Sequence, residues 1–126
     1  MARLLLDTHV VLWALTEPAK LTQPARSALE DAQNEVLVSV VSAWEIAIKR
    51  ALGKLEAPDD LEAAIRMQGF EPLLMTFHHA EQAGSLPPHH RDPFDRMLIA
   101  QAQAEGLVVV TRGPDIPRYG VRTLAA

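Results

Sequence analysis

Gly106-Leu107-Val108-Val109-Val110-Thr111 is a glycine followed by an unbroken apolar, largely β-branched run, the pattern of a strand covered on both faces, as parallel strands are between helix layers. Arg3-Leu4-Leu5-Leu6-Asp7 has the same character near the other end of the chain, and residues 36–40 supply a third run. Residues 73–76 and 121–124 are weaker strand candidates. Helical spacing falls between these runs, over residues 10–15, 24–33, 43–52, 60–68, 78–83 and 93–104. Strand-like and helical segments in alternation predict an α/β fold: a mainly parallel central sheet flanked by helices in an α/β/α arrangement, with right-handed crossovers. The chain of 126 residues has no internal repeat, low-complexity tract or linker, so residues 1–126 are expected to form one domain.

Composition narrows the function. Hydrophobic residues are 48% and charged residues 22% of the chain, which suits a packed globular domain and excludes a disordered one. There are no cysteines, which removes disulfides, thiolate zinc sites and a thiol nucleophile together. No basic region precedes an apolar leader, and no apolar stretch approaches the roughly 20 residues that span a bilayer, so a cytoplasmic protein with no membrane association is expected. A net charge of −4 argues against a protein that coats nucleic acid through clustered Lys and Arg.

The carboxylates are more telling. Ligands of open α/β sheets bind at the carboxyl ends of the strands, where Asp7 sits. Glu45 lies in Ser42-Ala43-Trp44-Glu45, and Asp92 and Asp95 lie in Asp92-Pro93-Phe94-Asp95. Capping alone accounts for these three singly: Ser42-x-x-Glu45 reads as a capping box, and Asp92 as an N-cap followed by Pro at the first helical position and an acid in the first turn. Taken with Asp7, however, acids at several helix starts converge on one end of the sheet and build an oxygen-only pocket suited to Mg²⁺ or Mn²⁺. Lys49, Arg91, Arg96 and Arg112 lie near these acids as phosphate contacts, although a surface cation is more often simply solvated. Neighbouring helical residues point about 100° apart, so the pairs His78-His79 and His89-His90 are expected in surface or loop packing. His9 is assigned to packing or capping. Trp13 and Trp44 belong to helices apolar on more than one face, leaving either core packing or an exposed groove for a partner helix or a second copy.

Four segments in this order and spacing resemble one family: Leu5-Leu6-Asp7-Thr8-His9-Val10-Val11-Leu12-Trp13; Ser42-Ala43-Trp44-Glu45-Ile46-Ala47-Ile48-Lys49; His90-Arg91-Asp92-Pro93-Phe94-Asp95-Arg96; and Leu107-Val108-Val109-Val110-Thr111-Arg112. The chain resembles the PIN-domain ribonucleases and, within them, the VapC-like toxins of bacterial type II toxin–antitoxin modules. The resemblance implies a PIN-like fold and a metal-dependent endoribonuclease that uses Mg²⁺ or Mn²⁺ to activate water against an RNA phosphodiester. It makes Asp7, Glu45 and Asp95 the catalytic and metal-holding acids, with Thr8 beside the first and Asp92 in a supporting or capping role. It further implies a homodimer and a cognate VapB-like antitoxin whose C-terminal segment covers the site. The family usually carries Thr-x-Asp or Thr-x-Asn after the last core strand, and here that position reads Thr111-Arg112-Gly113. Asp115 reaching in, Asp92 substituting, or a site of three acids are the alternatives. A catalytically impaired PIN fold that binds RNA or a partner is the second reading. A phosphotransfer domain with Asp7 as nucleophile is disfavoured, since Asp7-Thr8-His9 lacks a second acid two residues on.

Overall fold

The apolar runs fold as strands β1 (Arg3–Leu6), β2 (Glu35–Ser39), β3 (Glu71–Leu73), β4 (Val108–Thr111) and β5 (Thr123–Ala125) in a computed structural model that describes residues 1–126. Their spatial order is β3-β2-β1-β4-β5 and every pairing is parallel. Helices α1 (Thr8–Thr16), α2 (Gln23–Glu30), α3 (Val40–Ala51), α4 (Leu61–Met67), α5 (Phe77–Ser85) and α6 (Pro93–Glu105) alternate with them, and two 3₁₀ turns occupy Pro18–Lys20 and Ile116–Tyr119.

Why the central strands β1, β2 and β4 carry unbroken apolar runs follows from the two cores. Leu4, Leu6, Val36, Val38 and Val110 pack with Val10, Val11, Ile46 and Ile65 from α1, α3 and α4. The alternate residues Leu5, Leu37 and Val109 pack with Leu98, Ile99 and Ala102 of α6 and with Ile116. A strand buried on both faces has no polar side, and each fully buried Leu, Ile or Val contributes about 1.5–3 kcal/mol. The α/β/α arrangement follows directly. At Gly106 the backbone turns left-handed, φ 67°, which ends α6 and feeds β4.

Several element boundaries differ from the sequence expectation: α1 starts at Thr8, α2 ends at Glu30 and β5 starts at Thr123, and the shifts at β2–α3, β3 and α5 change what side chains do. The second strand stops at Ser39 and α3 begins at Val40, because the Ser39 hydroxyl accepts from Val41 N at 3.1 Å and caps the helix there. Ser42 and Glu45 are therefore buried helical residues and form no capping box. Strand β3 runs earlier than residues 73–76, in register with residues 37–39 of β2, and leaves Leu74 and Met75 exposed. Helix α5 starts at Phe77 through a capping box in which Thr76 Oγ1 accepts from His79 N and His79 Nδ1 accepts from Thr76 N. His79 is consequently buried and near Glu105 at 3.2 Å, a correction to its expected surface or loop placement.

The strand order fixes where a ligand can sit. From β1 the chain steps outward to β2 and β3, then returns to β4 on the other side, so β1 and β4 flank the switch point whose carboxyl end forms a crevice. Asp7 and Thr111 stand at that end. No helix is long and apolar enough to cross a membrane.

Candidate active site

Asp7 is held in place by three contacts. Its backbone N donates to Val110 O at 3.0 Å, extending the β1–β4 pairing by one residue. Its Oδ1 caps α1 by accepting from Thr8 N at 2.6 Å, and its Oδ2 accepts from Thr111 Oγ1 at 2.7 Å. The carboxylate is therefore locked across the switch point by the first residue of α1 and the last of β4.

Thr8 links Asp7 to Glu45. Its buried hydroxyl donates to Glu45 Oε1 at 2.6 Å and lies 3.1 Å from the Ser42 hydroxyl, one turn before Glu45 on α3. Glu45 Oε2 pairs with Lys49 Nζ at 3.1 Å, the i,i+4 partner one turn on. Glu45 is only 7% exposed, and a buried carboxylate requires partners of this kind.

From the third side come the residues that open α6. Asp92 Oδ1 accepts from Phe94 N and Asp95 N, Pro93 takes the first helical position, and Asp95 follows in the first turn. Asp95 Oδ2 lies 2.9 Å from His90 Nε2, and the other ring nitrogen of His90 is 3.7 Å from Asp115 Oδ2. The Asp95 carboxyl is pushed up from 3.8 to about 6, first by burial and then by the charge of Asp7, with Asp92 adding and His90 opposing.

Asp7, Thr8, Glu45, Asp92 and Asp95 all line one cleft of about 180 Å³, together with His9, Val10, Trp13, Lys49, Arg112 and Gly113. Asp115 does not line it and reaches only His90 and Arg118. Gly113 N donates to Thr111 Oγ1 at 3.1 Å, and a Cβ built on Gly113 would meet that oxygen at 3.7 Å, an ordinary contact. The turn thus has room for a side chain. Sequence reasoning passed over His90: the rule for neighbouring histidines on a helix does not govern a loop, where His89 packs on Tyr119 and His90 meets Asp95. His90, Asp92 and Asp95 present ligand atoms all within 4.8 Å of one another.

The four cations divide. Lys49 and Arg112 line the cleft, whereas Arg91 and Arg96 do not. Arg96 donates to the carbonyls of Ala83, Leu86, Pro87 and His90, so its guanidinium staples the loop between α5 and α6. Four carboxylates against two partnered cations leave an excess of negative charge. That donor set, rich in oxygen and free of sulfur, fits a hard divalent cation.

The PIN domain family matches residues 4–121. Ribonuclease VapC22 of Mycobacterium tuberculosis is 32% identical over 120 residues, covering 89% of this chain and 88% of its own. Among solved structures, the DNA-bound VapBC of Salmonella typhimurium superimposes with a TM-score of 0.73 at 20% identity, over 99% of this chain and 98% of that one. VapBC-5 of Mycobacterium tuberculosis, from the VapBC family of toxin-antitoxin systems, gives 0.61 at 19% identity with all of both chains covered. Those two likenesses establish the fold, while the family match spans β1, the acids on α3 and α6, and β4. The chain belongs to the PIN-domain family, in the company of the VapC ribonucleases.

Proposed function

We propose that this chain is a divalent-metal-dependent endoribonuclease and the toxin of a type II toxin–antitoxin pair. The observation that carries the reading is the convergence of Asp7, Glu45 and Asp95 from three separate elements on one cleft at the β1–β4 switch point. Kinship with a ribonuclease, VapC22, supports the choice of substrate.

Asp7, Glu45 and Asp95 are the residues that would hold the ion, with Asp92 beside them. An ion such as Mg²⁺ or Mn²⁺ held there would supply Lewis acidity toward the phosphodiester and toward water. The chain's own part is orientation. Thr111 and the N-terminus of α1 fix Asp7, Thr8 fixes Glu45, and His90 fixes Asp95, so that each carboxylate is held at the cleft. Gly113 leaves the set at three principal acids, which Asp92 supplements and Asp115 supports at one remove through His90. Lys49 and Arg112 are the cations placed to meet the substrate phosphate.

A VapB-like antitoxin and a second copy of the chain are the proposed partners, acting in the cytoplasm. Trp44 and Ile48 on α3 and Leu52 at its C-cap are exposed at helical spacing, and Leu74 and Met75 after β3 and Phe77 at the start of α5 are exposed too, which supports apolar docking.

The test is incubation of purified chain with a mixed RNA pool in Mg²⁺, Mn²⁺ or EDTA, alongside Asp95→Ala. Internal cleavage that requires metal and Asp95 supports the reading. Cleavage that persists in EDTA and in the variant contradicts it.

A further inference from the structure

The cleft poses a problem of affinity. Its lining carries four carboxylates, and its two cations are occupied: Lys49 by Glu45, and Arg112 by the carbonyls of Lys20 and Ala126. The chain as a whole bears a net charge of −4. Counterion release through Lys and Arg, the usual source of nucleic-acid affinity, is therefore weak here. Lys49, Arg112 and a bound metal ion meet the phosphate only, so a substrate strand needs a further contact that does not depend on charge.

The remaining lining supplies that contact. Its only aromatic rings are His9 and Trp13, one turn apart on α1, with centroids 5.9 Å apart and planes inclined by 29°. The Arg112 guanidinium lies 4.3 Å from the Trp13 ring centre and is itself tied to two carbonyls, so the indole is fixed before any ligand arrives. His9 is exposed, its ring has no hydrogen-bond partner within the chain, and it sits two residues after Asp7 on the helix that Asp7 caps. An exposed ring with no internal bond, stacked on an immobilised indole at the edge of the acids, is a surface for a flat ligand.

Resting on the ribonuclease reading, we propose that His9, backed by Trp13 and Arg112, is the base-stacking wall of the cleft: it holds an unpaired base next to the phosphodiester presented to the acids. Stacking needs a free base face, so the wall selects single-stranded over duplex RNA and tolerates different bases. His9 acts through its ring and transfers no proton.

The experiment measures binding and cleavage separately. Fluorescently labelled single-stranded oligoribonucleotides, an abasic strand of equal length and a duplex are titrated with chain in EDTA, where turnover is suppressed, using wild type, His9→Ala and His9→Phe. Loss of one stacked base should weaken single-strand binding by about 5- to 100-fold in His9→Ala. His9→Phe should restore it, and the abasic strand should bind equally weakly to all three. In a Trp44→Phe background, where Trp13 is the one remaining indole, strand binding should also quench fluorescence.

Unchanged affinity in His9→Ala, an equal loss on the abasic strand, or failure of His9→Phe to restore binding overturns the proposal. In the cleavage assay His9→Ala should raise KM with kcat nearly unchanged. Wild type that cuts RNA while His9→Ala keeps its KM leaves the nuclease standing and removes the wall. Wild type that binds strands in a His9-dependent way and cuts none keeps the wall and removes the nuclease.

Discussion

Replacing Asp95 by Asn should make the metal-free protein more stable at neutral pH, and the structure sets the size of the effect. The carboxyl is raised from 3.8 to about 6 by burial and by Asp7. Between those two values the folded chain binds a proton at Asp95 that the unfolded chain has released, so this residue's contribution to stability falls as pH climbs through the window and is level above it. At about 1.4 kcal/mol per pH unit the full loss is about 3 kcal/mol, and about 2 is the safer figure because the His90 contact is altered too. Urea unfolding of chelated wild type and Asp95→Asn at pH 4.5, 5.5 and 7 measures it. The variant should gain about 2 kcal/mol over wild type at pH 7, with the gap shrinking toward pH 4. A variant less stable than wild type at pH 7, or a gap independent of pH, would refute the raised Asp95 carboxyl that burial and Asp7 produce, and leave only its place in the first turn of α6.

Other outcomes follow from single contacts. Arg96→Ala, which frees four backbone carbonyls in and before the His89-His90 loop, should lower stability by about 2–3 kcal/mol, read as a shifted urea midpoint at unchanged slope. Thr8→Val keeps the volume and removes the donor to Glu45, so Mn²⁺ affinity should fall by about 10- to 100-fold in a calorimetric titration. Gly113→Asp adds a fifth carboxylate to the cleft lining where a Cβ already fits, and should tighten Mn²⁺ binding while lowering the metal-free melting temperature.

Much of the fold is written in the sequence because its core strands face helices on both sides. Leu4 to Leu6, and Val109 with Val110, could be nothing but buried, and Gly106 marks the entry to β4. The start of α3 was not legible: residues 36–41 are apolar except for Ser39, so hydrophobicity shows no change from strand to helix, and two serines three residues apart offer competing caps. The Ser42 alternative would give Glu45 a capping task that the Ser39 cap removes. Asp7 could be placed from its position after the first strand, and Asp92 and Asp95 from the Asp-Pro start of α6. Their approach to one cleft depends on strand order, which no local pattern encodes. His90 escaped for the same reason: its partners, Asp95 and Asp115, are brought together by tertiary packing of the loop against Tyr119.

The central claim is that Asp7, Glu45 and Asp95 hold one ion in one cleft. Mn²⁺ titration followed by electron paramagnetic resonance, on wild type and on Asp7→Asn, tests it most directly. The account predicts saturable binding by wild type, displaced by excess Mg²⁺, and its loss in Asp7→Asn while the variant remains folded. Equal Mn²⁺ affinity in wild type and variant would contradict it.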